Sequence, residues 1–172
     1  CWINMGGGHA LTREDYDRSL LASLIKQYRH QYDLDEVWLE PGEAAVLDSG
    51  TLHTTVLDIF ASGSKTVAIL DISATAHMPD VLEMPYRPEV TLDGTASLKQ
   101  GPYRYNLGGS TCLAGDIIGS YSFHRPLHVG DRLVFQDMAQ YTMVKTTYFN
   151  GIQHPSIILR HEDGSDEIVR SF

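Results

Sequence analysis

Three short stretches of this sequence carry residue types that chemistry can use. Gly6-Gly7-Gly8 stands between a short apolar run and a segment of helical spacing. Without Cβ atoms its amides can close on an anion, and the positive end of the following helix adds to the attraction. The same triplet also makes a tight strand-to-helix turn, and its spacing is not the GxGxxG dinucleotide fingerprint. Glu40-Pro41-Gly42 sets a carboxylate at the end of a second apolar run, where parallel α/β folds gather their active groups. Pro41 biases Glu40 toward an extended backbone, and an ordinary solvated strand end has the same composition. Gly108 to Asp116 joins a thiol, Cys112, to a carboxylate, Asp116, in a glycine-rich loop. Loops of that kind carry function more often than packing, although a free cysteine is commonly a small buried hydrophobe and an aspartate commonly caps a loop. Tyr141-Thr142 and Phe149-Asn150-Gly151 add a phenol and an aromatic surface at the two ends of a further run. The eight histidines are read as structural or solvated, and no metal site is expected.

These residues need elements to hold them. Trp2 to Met5 has the look of the end of a buried strand. The apolar and aromatic positions Tyr16, Leu20, Leu21, Leu24, Ile25 and Tyr28 follow a helical period behind a Thr12 cap. Val37-Trp38-Leu39 is a second short strand. Strand, glycine loop, helix, strand is the rhythm of a parallel α/β sheet. Beyond about residue 48 the pattern changes. Leu52 to Phe60 and Thr66 to Ile72 flank a hairpin turn at Ala61-Ser62-Gly63-Ser64. Shorter runs follow at Ile117 to Phe123, Arg132 to Met138, Tyr141 to Tyr148, Ser156 to Arg160 and Glu167 to Val169, separated by turn signals at Gly130, Gly151 and Gly164. The expectation is α/β for residues 1–48 and an antiparallel all-β domain for residues 49–172, with Met78 to Pro88 as a surface excursion.

A chain of 172 residues, 42% hydrophobic and 20% charged, is long enough for one ordinary core, or for a small domain and part of another. Its formal charge of −9 has the wrong sign for holding nucleic acid or anionic lipid by charge and suits a cationic small molecule. Two cysteines far apart fit a reduced, cytoplasmic protein, and no run of about eighteen apolar residues is present to span a membrane. The chain opens at Cys1 without an initiator methionine, which points to a fragment.

Taken in order, the motifs resemble those of the fold-type III pyridoxal-phosphate decarboxylases, the superfamily of ornithine and diaminopimelate decarboxylases. Gly6-Gly7-Gly8 is similar to its phosphate loop, Glu40-Pro41-Gly42 to its pyridine-nitrogen motif, and Thr111-Cys112 with Asp116 to its catalytic loop. Tyr141-Thr142 with Phe149-Asn150-Gly151 is similar to its C-terminal signature. Within the superfamily the motifs look most like the branch that decarboxylates carboxynorspermidine and carboxyspermidine to norspermidine and spermidine. The resemblance implies the C-terminal part of a TIM-type barrel followed by a β domain, as in alanine racemase and ornithine decarboxylase. It also implies a homodimer whose active sites are shared across the interface. Pyridoxal 5'-phosphate is the implied cofactor, with Glu40 on the ring nitrogen and Gly6, Gly7, Gly8, Gly42 and Tyr141 on the phosphate. Cys112 is implied as the proton donor, Asp116 as a catalytic residue and ligand of a substrate amine, and Phe149 as pocket lining. Glu43 replaces the arginine that ornithine-type enzymes carry after the Glu-Pro-Gly glycine, and Leu113 replaces an acidic neighbour of the cysteine. Both changes favour a longer, multiply cationic carboxypolyamine. None of Lys26, Lys65, Lys99 or Lys145 matches the family's Schiff-base lysine, which is expected in an upstream barrel portion. The alternatives are a diaminopimelate or basic amino-acid decarboxylase of the same fold, a catalytically silent regulatory homologue, or a cofactor-free β-rich binding module.

Overall fold

The computed structural model describes residues 1–172, and they form two compact units, Cys1–Ser49 and Gly50–Phe172. In the first unit, strand β1 (Trp2–Asn4) is followed by helix α1 (Arg18–Gln31) and strand β2 (Glu36–Trp38). β1 and β2 pair in parallel with Ile3 opposite Val37, so α1 is the crossover that a parallel pair requires. The Trp2 and Trp38 rings stack at 5.0 Å. β1 is the expected strand, but it is exposed in this chain rather than buried, since its one neighbour is β2. α1 starts at Arg18, later than a Thr12 cap implies. Asp17 caps it by accepting the Leu20 amide, whereas the Thr12 hydroxyl donates to the carbonyl of Ala44. A short helix α2 (Gly42–Val46) follows Pro41 and buries Ala44.

The second unit is built on a seven-stranded mixed sheet. Strand β3 (Leu52–Ser62) and strand β4 (Lys65–Leu70) make a hairpin around Gly63, whose φ of +61° suits a residue without Cβ. Two single-turn helices follow, α3 (Ala74–His77) and α4 (Asp80–Glu83), then β5 (Val90–Leu92), β6 (Thr95–Ala96), β7 (Tyr103–Gly108), β8 (Ile117–Phe123) and β9 (Arg132–Phe135). The order across the sheet is β6-β5-β9-β3-β4-β7-β8. Every pair is antiparallel except β4 with β7, so the sheet is mixed where the sequence suggests an all-antiparallel one. The reason is the excursion from residue 71 to residue 102, which returns the chain to the far edge of β4 in the same direction. β10 (Ile157–Arg160) and β11 (Asp166–Arg170) form a separate antiparallel ribbon.

β3 serves two neighbours, β9 through residues 52–55 and β4 through residues 56–62. A bulge between Val56 and Asp58 changes its phase. Leu52, Thr54 and Val56 face inward before the bulge and Ile59 after it, which is the shift that one inserted residue imposes on a period of two. The core lies along this line, with Val90 and Leu52 both opposite Phe135, and Leu92 opposite Leu133. Tyr121 meets Phe135 edge to face at 6.2 Å, donates its hydroxyl to the carbonyl of Pro88 and carries Arg87 over its ring. Burial pushes the phenol up to about 12.

Two segments differ from their expected form. Residues 78–88 are not a surface excursion throughout, because Met78 is fully buried and Val81 and Asp80 nearly so. Tyr141 to Tyr148 is not a strand but a 3-10 turn at Met143–Lys145. The Thr146 hydroxyl donates to the Met143 carbonyl, a local bond that competes with a strand ladder. Lys145 anchors the turn on Asp80 and Glu83 of α4. His124 and His128 are four residues apart but lie on no helix, flanking an Arg125 that pairs with Asp93 and Asp131.

The packing yields a direct expectation. Phe135→Ala removes a fully buried ring and lowers stability by about 3–5 kcal/mol, seen as a lower urea midpoint. A midpoint within error of the parent contradicts the assigned core.

Candidate active-site loops

In the first unit the glycine triplet and Glu40 form one hydrogen-bonded cluster. Gly6 and Gly8 hold φ of +76° and +78°, and a Cβ on Gly7 would lie 2.9 Å from the Glu40 carbonyl oxygen. The Glu40 amide donates to the Gly6 carbonyl at 2.9 Å, and the Gly42 amide to the Glu40 carbonyl at 2.9 Å. Asn4 joins the two loops through its side chain. Its Oδ1 accepts the Gly6 amide at 2.8 Å, while its Nδ2 donates to Oε1 of Glu40. The amides of Gly7 and Gly8 are left without an acceptor in the chain. A hollow beside them is lined by Gly8, His9, Arg13, Pro41, Gly42 and Glu43. Arg13 is paired with Asp15 and also feels Glu43, so this hollow carries a cation as well as the second carboxylate.

The cluster fits pyridoxal phosphate. A phosphate needs close backbone approach and free amides, both present at the triplet. A pyridine nitrogen needs a carboxylate held at a set place, and Asn4 holds Glu40 to the loop. Asn4 is a residue that motif reading misses. Its signal is an Asn-x-Gly start to the glycine run.

In the second unit the loop from Gly108 to Asp116 connects β7 to β8. Asp116 is only 3% exposed. Its Oδ1 accepts the amides of Ala74 at 2.7 Å and Thr75 at 3.3 Å. Its Oδ2 accepts the Thr111 amide at 3.2 Å and the Thr111 hydroxyl at 2.6 Å. Such an arrangement clamps the two ends of the loop and ties them to the start of α3. It also corrects the expectation that Asp116 binds a substrate amine. Four protein donors already engage the carboxylate and it faces inward, so it acts as the loop's cap. Gly109 is required beside it, since a Cβ there would stand 2.3 Å from Oδ2.

With its loop clamped, Cys112 is exposed at the turn and not buried. Its amide donates to Oδ1 of Asn150 at 3.1 Å, which brings Phe149 and the Cys112 loop into one neighbourhood. Phe149 and Tyr141 are both partly exposed. Asn150 belongs to the Phe149-Asn150-Gly151 motif, but its bond to the Cys112 loop is not visible from spacing, and His77 is a residue near this loop that motif reading does not single out. His77 is buried within α3, its Nδ1 accepting the Ser73 amide and its Nε2–H donating to the carbonyl of Gln153. Those partners select the neutral ring, and burial pushes its pKa down.

Comparison with known proteins follows the same lines. Residues 16–139 match the family model of the pyridoxal-dependent decarboxylase C-terminal sheet domain. The chain is 47% identical over 171 residues to a carboxyaminopropylagmatine decarboxylase of Synechocystis sp., covering 99% of this chain and 44% of the relative. It is 41% identical over 180 residues to a carboxynorspermidine/carboxyspermidine decarboxylase of Campylobacter jejuni, with 99% and 47% covered. The crystal structure of carboxynorspermidine decarboxylase from Campylobacter jejuni, complexed with norspermidine, superposes with a TM-score of 0.85 at 41% identity over 99% of this chain and 48% of that one. An arginine decarboxylase of Paramecium bursaria Chlorella virus, bound to agmatine, shares the fold, with a TM-score of 0.71 at 23% identity over 89% of this chain and 43% of that one. The chain thus spans somewhat under half the length of these curated relatives.

Two outcomes are expected. Asp116→Asn replaces an accepting oxygen with an amide group and strands the Thr111 donors, costing about 1–3 kcal/mol of stability by urea unfolding; a neutral substitution contradicts the clamp. For His77 the unfolded chain takes up a proton below about pH 6.5 that the folded chain resists. Stability is therefore full above that pH and falls as pH drops toward the depressed folded value. Thermal midpoints should fall further between about pH 7.5 and 5.5 in the parent than in His77→Gln, and parallel losses would contradict the assignment.

Proposed function

The chain belongs to the pyridoxal-dependent decarboxylases and carries their C-terminal sheet domain, and from this premise we propose that it serves a decarboxylase acting on carboxylated polyamines. The observation that carries the reading is the joining of Glu40 to the glycine loop through Asn4. It supports a fixed carboxylate for the ring nitrogen beside a backbone cradle for the phosphate. When bound, pyridoxal phosphate supplies a protonated ring that takes up the electron pair released as CO2 leaves. Glu40 keeps the ring nitrogen protonated, because a carboxylate there stabilises the charged form. Gly6, Gly7, Gly8 and Gly42 offer close backbone approach to the phosphate, and the Tyr141 hydroxyl is assigned to it as well. Cys112 returns a proton to the substrate carbon that has lost CO2, a role suited to a thiol. Phe149 lines the substrate's path, and Asp116 acts by holding the Cys112 loop.

In the whole enzyme, residues 1–48 are assigned to the last units of the cofactor-binding barrel and residues 49–172 to the β domain. The cofactor-anchoring lysine is assigned to the barrel portion that the relatives have beyond the span matched here. The enzyme is read as a cytoplasmic homodimer in which Cys112 serves the active site of the other subunit. No helix of the chain is long and apolar enough to cross a membrane.

For the substrate, carboxynorspermidine and carboxyspermidine fit the chain's negative charge and the acidic Glu43. The 47% identity with a carboxyaminopropylagmatine decarboxylase favours a second reading, in which the same carboxylated aminopropyl end is joined to agmatine. Both readings share the reacting half of the molecule and differ only in the distal cation.

The test is CO2 release by the whole enzyme carrying this chain, with pyridoxal phosphate, on carboxynorspermidine, carboxyspermidine, carboxyaminopropylagmatine, diaminopimelate and ornithine. Turnover confined to the carboxylated polyamines supports the proposal. Turnover of diaminopimelate or ornithine alone, or of none, overturns it. Cys112→Ala should lower formation of the amine product by about 100-fold or more with a smaller effect on CO2 release, whereas Glu40→Ala should depress CO2 release itself. Near-parent product formation in both variants removes these roles.

A further inference from the structure

The exposed thiol of Cys112 is placed by a closed circuit of polar contacts. One arm runs from the Cys112 loop through Asp116 to the amides of Ala74 and Thr75 at the start of α3. From the far end of α3 a second arm continues, as His77 donates to the Gln153 carbonyl at 3.1 Å and Ala76 accepts the Thr147 amide at 2.8 Å. These bonds fix both sides of the segment that contains Asn150. The circuit closes where Oδ1 of Asn150 accepts the Cys112 amide at 3.1 Å. Asn150 has φ 62° and ψ 17°, the left-handed region that Asn and Gly occupy with least strain. Its position is thus set by backbone preference on one side and by α3 on the other.

We propose that Asn150 is a positioning residue for Cys112, its side-chain carbonyl holding the Cys112 backbone so that the thiol leaves the loop in one direction. The proposal rests on the reading above that Cys112 returns the proton. The physical reason is economical. The turn Gly109-Ser110-Thr111-Cys112, exposed at Ser110 and Cys112, has no buried apolar side chain to hold it. Asp116 clamps its ends, and the bond to Asn150 fixes the cysteine between them. A general acid displaced from its line of transfer loses its advantage steeply.

Two variants separate the hydrogen bond from the backbone strain. Asn150→Gly keeps easy access to positive φ and removes the acceptor, whereas Asn150→Asp keeps an acceptor at the same reach. In the whole enzyme without substrate, deuterium exchange at the Cys112 amide is expected to be about ten-fold faster in Asn150→Gly, the weight of one net hydrogen bond, and close to the parent in Asn150→Asp. During turnover, a misplaced acid would leave the substrate carbon without its proton, so that a fraction of turnovers would end, with uptake of water, in pyridoxamine phosphate and an aldehyde in place of pyridoxal phosphate and the amine. Asn150→Gly should raise that fraction about ten-fold, toward the Cys112→Ala pattern, with KM within about two-fold of the parent; Asn150→Asp should restore it.

Unchanged exchange in Asn150→Gly overturns the proposal, as does equal loss in both variants or faster exchange with parent-like product partition. If Cys112→Ala itself leaves the partition unchanged, the proton-donor reading falls and takes the catalytic half of the proposal with it. The exchange measurement still decides separately whether Asn150 holds Cys112.

Discussion

The second unit's functional loops depend on one buried carboxylate. Asp116 accepts four donors from two stretches of chain, Thr111 within its own loop and the amides of Ala74 and Thr75. Bonds to an ionised acceptor are stronger than neutral ones, and a buried donor deprived of its partner carries the full desolvation penalty. The arrangement therefore resists partial failure. Gly109 is fixed by the same constraint, because the carboxylate occupies the space where its Cβ would be. The sheet supplies the frame, with β7 and β8 carrying the two ends of the loop and β4 leading into the residues that donate to it.

Much of this was legible in the amino-acid order, and the parts that were not have physical reasons. The hairpin around Gly63 and the glycine-rich loop at Cys112 are local signals, and each coincides with a feature of the fold. The parallel pairing of β4 with β7 is not local, since it is decided by where a thirty-residue excursion returns. Tyr141 to Tyr148 has the composition of a strand, yet Thr146 bonds to its own turn and Lys145 is tethered to α4. Residues 78–88 contain three prolines and charged side chains, which reads as surface, while Met78 and Val81 fill the core.

Among the site residues, the types visible from spacing were those with a motif around them: the glycine triplet, Glu40 and Cys112. Asn4, His77 and Asn150 each also bond to a residue tens of positions away, a pairing that local spacing does not announce even where, as at Asn4 and Asn150, a short motif surrounds the residue. Asp116 was legible as a carboxylate near a thiol, but only burial decides between a ligand for substrate and a cap for the loop. Its inward position makes it the cap. The acidic character of the proposed substrate path then rests on Glu43 and on the chain's net charge.

Under the proposed function the first unit faces the cofactor and the second supplies the proton donor, within a homodimer of the whole enzyme. The most direct measurement is a crystal structure of that enzyme with pyridoxal phosphate and a polyamine product bound. The account predicts the Glu40 carboxylate within about 3 Å of the ring nitrogen and the phosphate against the amides of the glycine triplet. It also places the partner subunit's Cys112 beside the carbon that has lost CO2. A complex in which Glu40 faces away from the ring, or in which no Cys112 thiol approaches the product, would contradict it.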